Sequence, residues 1–499
     1  MTADADTTSS APEVGTSPAA AAATVRQTVE GDAPPPTRVA GSALAAIEGS
    51  LRSLRCWTLV LDDDPTGTQT VQGVPVLMPN WPDADLEWAT EQPGSTTTFA
   101  LTNSRSHDEA TAARITYDVV RRAARIAARK DLRLRVISRS DSTLRGHFRA
   151  EVDAAHRALT ATGHEDHGTV FVPAFLEAGR MTANDIQWVR GEAGFMPAAD
   201  TEFARDGTFG YTEPDLRSWV AARLDRRNSI SGSISLHDLR AADGVARAGA
   251  KIAALAAGQV LIANAAHPSD LEVLMLGLLQ QQRTGRNPVI RSGPSFVRLC
   301  AGQRPSEPVP TRRFRPAAGG ARHGLVVVGS HTALTNAQLH HAVGRHQLKI
   351  VELDAAAVVG HGPHTRDSEI ARCRDQVLQS LRHETVILQT SREVLTEGRG
   401  TPLRTSGAVA DALVQVVALV SAATRLRFLV AKGGITSSDM ATRALRTRRA
   451  MVIGQMLPGM IPVWELLDGQ APGMPYVVFP GNVGADDSLS VVLDKVATP

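Results

Sequence analysis

From Trp57 onward, short runs of β-branched and leucine residues alternate with longer Ala/Arg/Leu segments whose apolar positions recur every three to four residues. That alternation is the pattern of βαβ units and limits the chain to an α/β class with mainly parallel sheet. The clearest strands fall at 57–61, 97–101, 132–138, 169–173 and 259–263, followed by 324–330, 385–389, 426–430 and 476–479. Residues 108–129 read as the best helix, with Ala113, Ile115, Val119, Val120, Ala123 and Ile126 near one face and arginines opposite. At 499 residues the chain exceeds what one core organises, so two domains of roughly 200–250 residues are expected. The stretch from Gly302 to Gly320 is dense in Pro, Gly and Arg and lacks periodicity, which marks it as a linker. The expected division is a tail at 1–40, an N-terminal domain at 41–303, a linker at 304–322 and a C-terminal domain at 323–499. Each domain is expected to be a mainly parallel sheet flanked by helices.

Lys+Arg 53 against Asp+Glu 51 leaves a formal charge of +2, so neither nucleic acid nor an anionic membrane is an expected partner. Small-molecule chemistry is the default. Only five of the basic residues are lysines, which makes Lys432 inside a glycine motif conspicuous. Cys56, Cys300 and Cys373 are widely spaced, so neither a disulfide framework nor a thiolate zinc site is indicated, and a reducing cytoplasm is the expected setting. Residues 1–40 are rich in Ala, Thr, Ser and Pro, lack the basic start and apolar core of a secretory signal, and read as disordered. No uninterrupted apolar run of about 18 residues occurs, so no membrane span is expected. A homo-oligomer is left open.

Three adjacent carboxylates end the first strand, in Leu61-Asp-Asp-Asp-Pro-Thr-Gly67. A buried strand delivers them to the carboxyl edge of the sheet, where open α/β folds bind ligands. Adjacent negative charges repel and are poor core material, so they point to a cation, a proton-transfer role or plain solvation. A second polar cluster, Ser138-Arg-Ser-Asp-Ser-Thr-Leu-Arg-Gly-His147, follows the strand at 132–138. Arg139 and Arg145 can each offer a planar fork to a carboxylate or phosphate, with Asp141 and Ser142 as hydroxyl partners. Two smaller clusters hold Asn103 with Arg105, and Glu177 with Arg180. If the strands are parallel, all of these loops share one edge and converge on one polar ligand.

The second half carries three glycine turns after strands. Gly329-Ser330-His-Thr332 leads into a helix with hydroxyls at its start, Lys432-Gly433-Gly434-Ile-Thr436 does likewise, and Phe479-Pro-Gly481-Asn482 is the third. Glycines let phosphate oxygens approach backbone N–H groups, and helix starts favour anions. Neither a Walker A pattern nor G-x-G-x-x-G is present, which disfavours a P-loop NTPase and a standard dinucleotide domain. His340, His341, His361 and His364 lack metal-ligand spacing and read as surface residues.

Taken in order, Asp63-Asp-Pro-Thr-Gly67, Ser138 to Gly146, Pro173-Ala-Phe-Leu-Glu-Ala-Gly-Arg180, Gly329-Ser330, Gly433-Gly434 and Gly481-Asn482 resemble the four-carbon acid sugar kinase family. The resemblance runs from about residue 55 to about residue 495. It implies phosphorylation of a tetronate-type acid by ATP with Mg²⁺, the acid on the N-terminal domain, the nucleotide on the C-terminal domain and transfer in the cleft between them. The family's acidic motif falls on Asp63, Asp64, Thr66 and Gly67, leaving Asp62 as an extra acid, and its second motif falls on Asp141, Ser142, Thr143, Arg145 and Gly146. Nucleotide contacts would fall near Ser330, on Gly433, Gly434 and Thr436, and on Gly481. In the implied mechanism Asp63 is the base and Asp64 helps hold Mg²⁺, two roles that can be exchanged. Arg139 and Arg145 clamp the carboxylate, and Lys432 neutralises phosphate charge. The chain departs from the family in having Ile435 where many members have an acid, and Phe479-Pro480 where their lead into Gly-Asn is more polar.

Two other functions compete. Asp62-x-Asp64-x-Thr66 matches the D-x-D-x-T pattern of haloacid-dehalogenase-type phosphohydrolases, with Asp62 as nucleophile and Asp64 as acid/base. A non-catalytic acid-sugar sensor on the same fold is the other.

Overall fold

The computed structural model describes residues 29–36, 43–79, 81–94, 96–191, 194–224, 229–315, 321–330, 332–360, 363–391 and 402–497. Most of the tail expected at 1–40 lies outside these residues, as does His361. Its segment 29–36 is packed rather than free, which corrects that expectation. Glu30 Oε2 accepts from Arg240 Nη1 at 2.5 Å, Pro34 O accepts from the same nitrogen at 2.8 Å, and Val29 is buried with Ala183 and Leu236. Composition hid this, because one buried apolar side chain and a few polar contacts with Arg240, His237 and Asn184 hold the segment.

The strands, in chain order, are β1 (Cys56–Asp62), β2 (Pro75–Leu77), β3 (Thr97–Leu101), β4 (Arg133–Arg139), β5 (Thr169–Val172), β6 (Arg180–Ala183), β7 (Ile186–Gly191), β8 (Gly194–Pro197), β9 (Ile230–Ile234), β10 (Val260–Ala263) and β11 (Val289–Ser292) in the first half. The second half adds β12 (Leu325–Val328), β13 (Leu348–Leu353), β14 (Thr385–Thr390), β15 (Leu429–Lys432), β16 (Arg449–Leu457), β17 (Met460–Leu466) and β18 (Pro475–Phe479). The protein is α/β, with helices between most of the parallel strands. The helix Glu109–Arg129 starts on an Asp108 cap, whose Oδ1 accepts from Thr111 N at 2.7 Å, and buries Val119, Val120, Ala123 and Ile126. The strand expected at 426–430 pairs three residues later, at Leu429–Lys432, because Leu325 and Tyr476 meet Leu429.

The two halves share one sheet of 15 strands, in the order β13-β14-β12-β15-β18-β17-β16-β2-β3-β1-β4-β11-β5-β10-β9. The hairpin β16–β17 makes the join: β16 pairs antiparallel with β2, placing Ala450 opposite Val76. Trp464 on β17 is fully buried and its Nε1 donates to Thr68 Oγ1 of the first half at 2.8 Å. A single apolar cluster contains Val76 and Phe99 together with Val452 and Trp464. The Pro-rich stretch before β12 also packs on the second half, where Phe314 is buried with Val328 and Phe479.

This join positions the site. The strands β2, β3, β1, β4, β11, β5, β10 and β9 are mutually parallel, as are β18, β15, β12, β14 and β13, but two antiparallel strands intervene and reverse the second set. In a flat sheet the two carboxyl edges would face opposite ways. Strand twist of about 20–25° per step accumulates to roughly 100–125° over the five steps from β18 to β1. The edges therefore swing toward each other. Among the described residues, no helix is long and apolar enough to cross a membrane.

Candidate active site

The three carboxylates at the end of β1 have different surroundings. Asp62 is buried, accepts from Arg139 Nη1 at 3.0 Å, and is pushed up to about 7 by burial, with Arg139 opposing. Asp63 is also buried: Arg105 Nη2 and Nε donate to its two oxygens at 2.7 and 3.2 Å, and Arg139 Nη1 adds a third contact at 3.3 Å. Asp64 is the one that faces the cavity, its side chain 20% exposed. Its Oδ1 accepts from Thr66 N at 2.9 Å, capping the short turn Pro65–Thr68, and its Oδ2 lies 3.6 Å from Arg105 Nη1. Burial alone would raise the Asp64 pKa, but Arg105 and Arg139 outweigh it and hold the group below the usual carboxylate value. Gly67 is required here because a Cβ would collide with the Asp62 carboxylate.

The other strand-end loops converge on the same place. Asn103 takes a left-handed backbone (φ 50°), which asparagine tolerates, and opens the turn that presents Arg105. In the loop after β4, Arg145 Nε donates to Asp141 Oδ2 at 2.6 Å, and Thr143 bonds the same carboxylate. Burial pushes Asp141 upward, but Arg145, Arg105 and Arg180 hold it far below the usual range. Leu144 keeps a positive φ of 69° in this loop, a strain of about 1–3 kcal/mol that its buried side chain offsets by packing with Phe148 and Trp219. Arg180, on β6, donates from Nη1 to Ser142 Oγ at 3.0 Å.

The second half closes the other wall. Gly434 approaches Asp64 so closely that a Cβ there would lie 2.5 Å from Asp64 Oδ2. Gly481, Asn482 and Pro480 line the same cavity, which measures about 80 Å³. Behind them the three glycine turns are laced together. Gly433 N donates to Phe479 O at 2.8 Å, Thr332 Oγ1 donates to Gly481 O at 2.9 Å, and Thr335 Oγ1 bridges to Ser330 Oγ at 3.0 Å. Thr436 packs its hydroxyl over Gly329 and Gly433. Lys432 is fully buried over the Phe479 ring at 3.9 Å, donates to Pro480 O at 3.3 Å, and is lowered to about 7 by burial.

Of the residues singled out in the sequence, Asp64, Thr66, Arg105, Arg139, Asp141, Ser142, Arg145, Arg180, Gly434, Gly481 and Asn482 border this cavity. Asp63, Gly67, Asn103, Ser330, Thr332, Lys432, Gly433 and Thr436 stand behind its walls. Glu177 points elsewhere: its carboxylate accepts from Ser295 and sits 3.7 Å from Arg298, and its Cβ packs at Gly459. Asp62 does not border the cavity either, which removes the nucleophile that the phosphohydrolase reading requires.

Sequence reasoning missed Glu151, Arg291 and Phe203. Buried Glu151 accepts from Ser104 Oγ at 2.5 Å, Ser138 Oγ at 3.0 Å and Arg291, so it ties together the loops that carry Arg105 and Arg139. Its signal was available, since it falls on the apolar stripe of its helix with Phe148, Val152, Ala155 and Leu159. Phe203 left no such mark.

Comparison with known proteins agrees with this division of labour. Residues 58–299 match the model of a sugar-binding N-terminal domain, and residues 325–489 match that of a nucleotide-binding C-terminal domain. Among curated proteins, the chain is 26% identical over 368 residues to a D-threonate kinase of Salmonella typhimurium, covering 71% of this chain and 78% of that one. It is 27% identical over 367 residues to a D-threonate kinase of Bordetella bronchiseptica, covering 71% and 76%. Among solved structures, a Salmonella typhimurium LT2 protein described as a tRNA synthase superposes with a TM-score of 0.62 at 17% identity, covering 87% of this chain and 98% of that one. That likeness concerns the fold alone.

Proposed function

Because the chain belongs to the four-carbon acid sugar kinase family, we propose that it transfers the γ-phosphoryl group of ATP to a hydroxyl of a four-carbon acid sugar such as D-threonate, in the cavity between Asp64 and the Gly434 and Gly481 turns. The observation that carries this reading is the contact of Asp64 with Gly434. It sets an ionised carboxylate from the sugar-binding half against a glycine turn of the nucleotide-binding half.

Phosphoryl transfer needs in-line positioning and charge neutralisation more than covalent chemistry. Asp64 suits Mg²⁺, which takes one or two carboxylates along with phosphate oxygens and water. Its lowered pKa keeps it charged, and its Oδ2 faces the nucleotide side. When bound, the ion would neutralise charge on the transferring phosphoryl group. The base role first expected of Asp63 has less support, since Arg105 and Arg139 occupy both its oxygens. Asp63 instead orients those two guanidiniums. Gly433, Gly434 and Gly481 would cradle phosphates, with Lys432 beneath them.

At about 80 Å³ the cavity is far smaller than the roughly 300 Å³ of a typical small-molecule site. Holding both ligands at once would require a wider form of the same cleft. A coupled ADP-release screen over D-threonate, D-erythronate and their 3-oxo forms tests the reading. ADP formed only when both an acid and Mg·ATP are present supports it. Binding of an acid with no ADP from any of them would make the protein a sensor.

A further inference from the structure

Four guanidiniums border the cavity, and three are committed to carboxylates. Arg105 pairs with Asp63 and Asp64, Arg139 with Asp62 and Asp63, and Arg145 with Asp141 at 2.6 Å and Asp206 at 3.8 Å. Arg180 differs. Among the described residues no carboxylate pairs with it; the carboxylate whose charge acts on it is Asp141, already taken by Arg145 and Thr143, while Arg145 and Arg139 repel it. Its Nη1 donates to the neutral Ser142 hydroxyl, and its Nε is buried without a partner. Burial also lowers its pKa, as expected of a guanidinium short of counter-charge. A half-buried cation in this state gains from an incoming anion more than one already paired.

Two aromatic rings lie against it. Arg180 lies over Phe203 at 5.3 Å and Phe175 at 6.0 Å, and the Phe203 ring also carries Arg145 at 5.1 Å. One ring thus holds two forks at one wall. Rings attract guanidiniums without neutralising them, so the charge of Arg180 stays available.

We propose that Arg180 receives the carboxylate of the acid substrate, with Ser142 beside it, and that Phe203 is a positioning residue that holds Arg180 and Arg145 in a common orientation. This rests on the acid sugar kinase reading and changes its clamp: Arg139 and Arg145, expected in that role, serve the Asp cluster and Asp141.

The test compares D-threonate and D-erythronate with their neutral carboxamides as substrates for wild type, Arg180→Gln, Arg145→Gln, Phe203→Leu and Phe203→Tyr. Arg180→Gln is expected to raise KM for the acid about 100-fold, the worth of a charge-assisted pair. KM for ATP and for the carboxamide should stay within about 2-fold, so that the preference for the acid collapses. Phe203→Leu should raise the same KM about 10-fold, and Phe203→Tyr, which keeps the ring, should behave as wild type. An Arg180→Gln enzyme that keeps its preference for acid over amide overturns the assignment, as does loss of that preference in Arg145→Gln alone. Wild type that turns over carboxamides and acids equally overturns it while leaving the kinase standing. No turnover of any acid by wild type overturns both.

Discussion

Asp64 Oδ2 and Gly434, from opposite halves of one 15-stranded sheet, approach so closely that a Cβ on the glycine would lie 2.5 Å from the carboxylate. The backbone of Gly434 has no left-handed φ, so it is close approach to Asp64 that demands glycine here. The contact thus joins the two halves at the acid that lines the cavity.

Gly434→Ala should accordingly act on turnover. The added methyl must push Asp64 or the turn aside by about 1 Å, a displacement that costs on the order of 10²-fold in rate. Tm should change little, since no strained φ is involved. Measuring kcat and Tm on one preparation checks this; a comparable loss of both would assign the glycine to stability.

Asp64→Asn and Asp63→Asn should separate. Removing the cavity-facing charge is expected to lower kcat by about 10² or more, with the fold intact. Removing Asp63 leaves Arg105 and Arg139 short of a buried partner, so that variant should lose Tm and raise KM for the acid through misplaced arginines. Titrating Mg²⁺ in each variant adds a second readout, the Mg²⁺ requirement rising only in Asp64→Asn.

Lys432 predicts proton uptake. Burial lowers it to about 7, so at pH 8 the free protein holds it mostly neutral, and nearby phosphate would recharge it. ATP binding at pH 8 should take up close to one proton, measured by calorimetry in two buffers of different ionisation enthalpy, and Lys432→Met should abolish the uptake. The stability sign follows from the same shift. The unfolded chain binds more protons between the folded value near 7 and the ordinary lysine value of 10.5, so Tm of wild type relative to Lys432→Met should rise with pH across that window.

Asp62 has the opposite signature. Its folded value, raised to about 7, lies above the ordinary 3.8, so the folded state binds the extra proton and loses stability as pH rises from about 4 to about 7. Asp62→Asn should lose nothing over that range and gain Tm relative to wild type between pH 5 and pH 8. Turnover should stay within a factor of about 10, because Asp62 does not border the cavity. An Asp62→Asn enzyme without activity would restore it to the chemistry.

Local patterns made much of this legible. Trp57 to Leu61 reads as a buried strand and Glu109 to Arg129 as an amphipathic helix because burial period and capping are properties of neighbouring residues. The polar loops after β1, β3, β4 and β5 stood out for the same reason. Glu177 was misplaced because its loop turns back, so that its carboxylate meets Ser295 and Arg298 on a distant helix. Phe203 gave no signal, because an aromatic residue in a short turn acquires meaning only from the arginines brought over it.

What the amino-acid order determined alone was the α/β alternation, the strand ends that carry Asp62 to Asp64, Arg139 and Arg180, and the glycine turns at 433–434 and 481. Tertiary structure decided the rest: β2 pairs with β16, the sheet runs unbroken, and its twist turns two opposed edges to face each other. It also decided which of three adjacent aspartates meets the cavity and which of four arginines lacks a carboxylate. The join depends on pairings between residues hundreds of positions apart, and the fates of the aspartates and arginines on contacts between neighbouring strand-end loops, where small rotations add strand by strand and no local period records the sum.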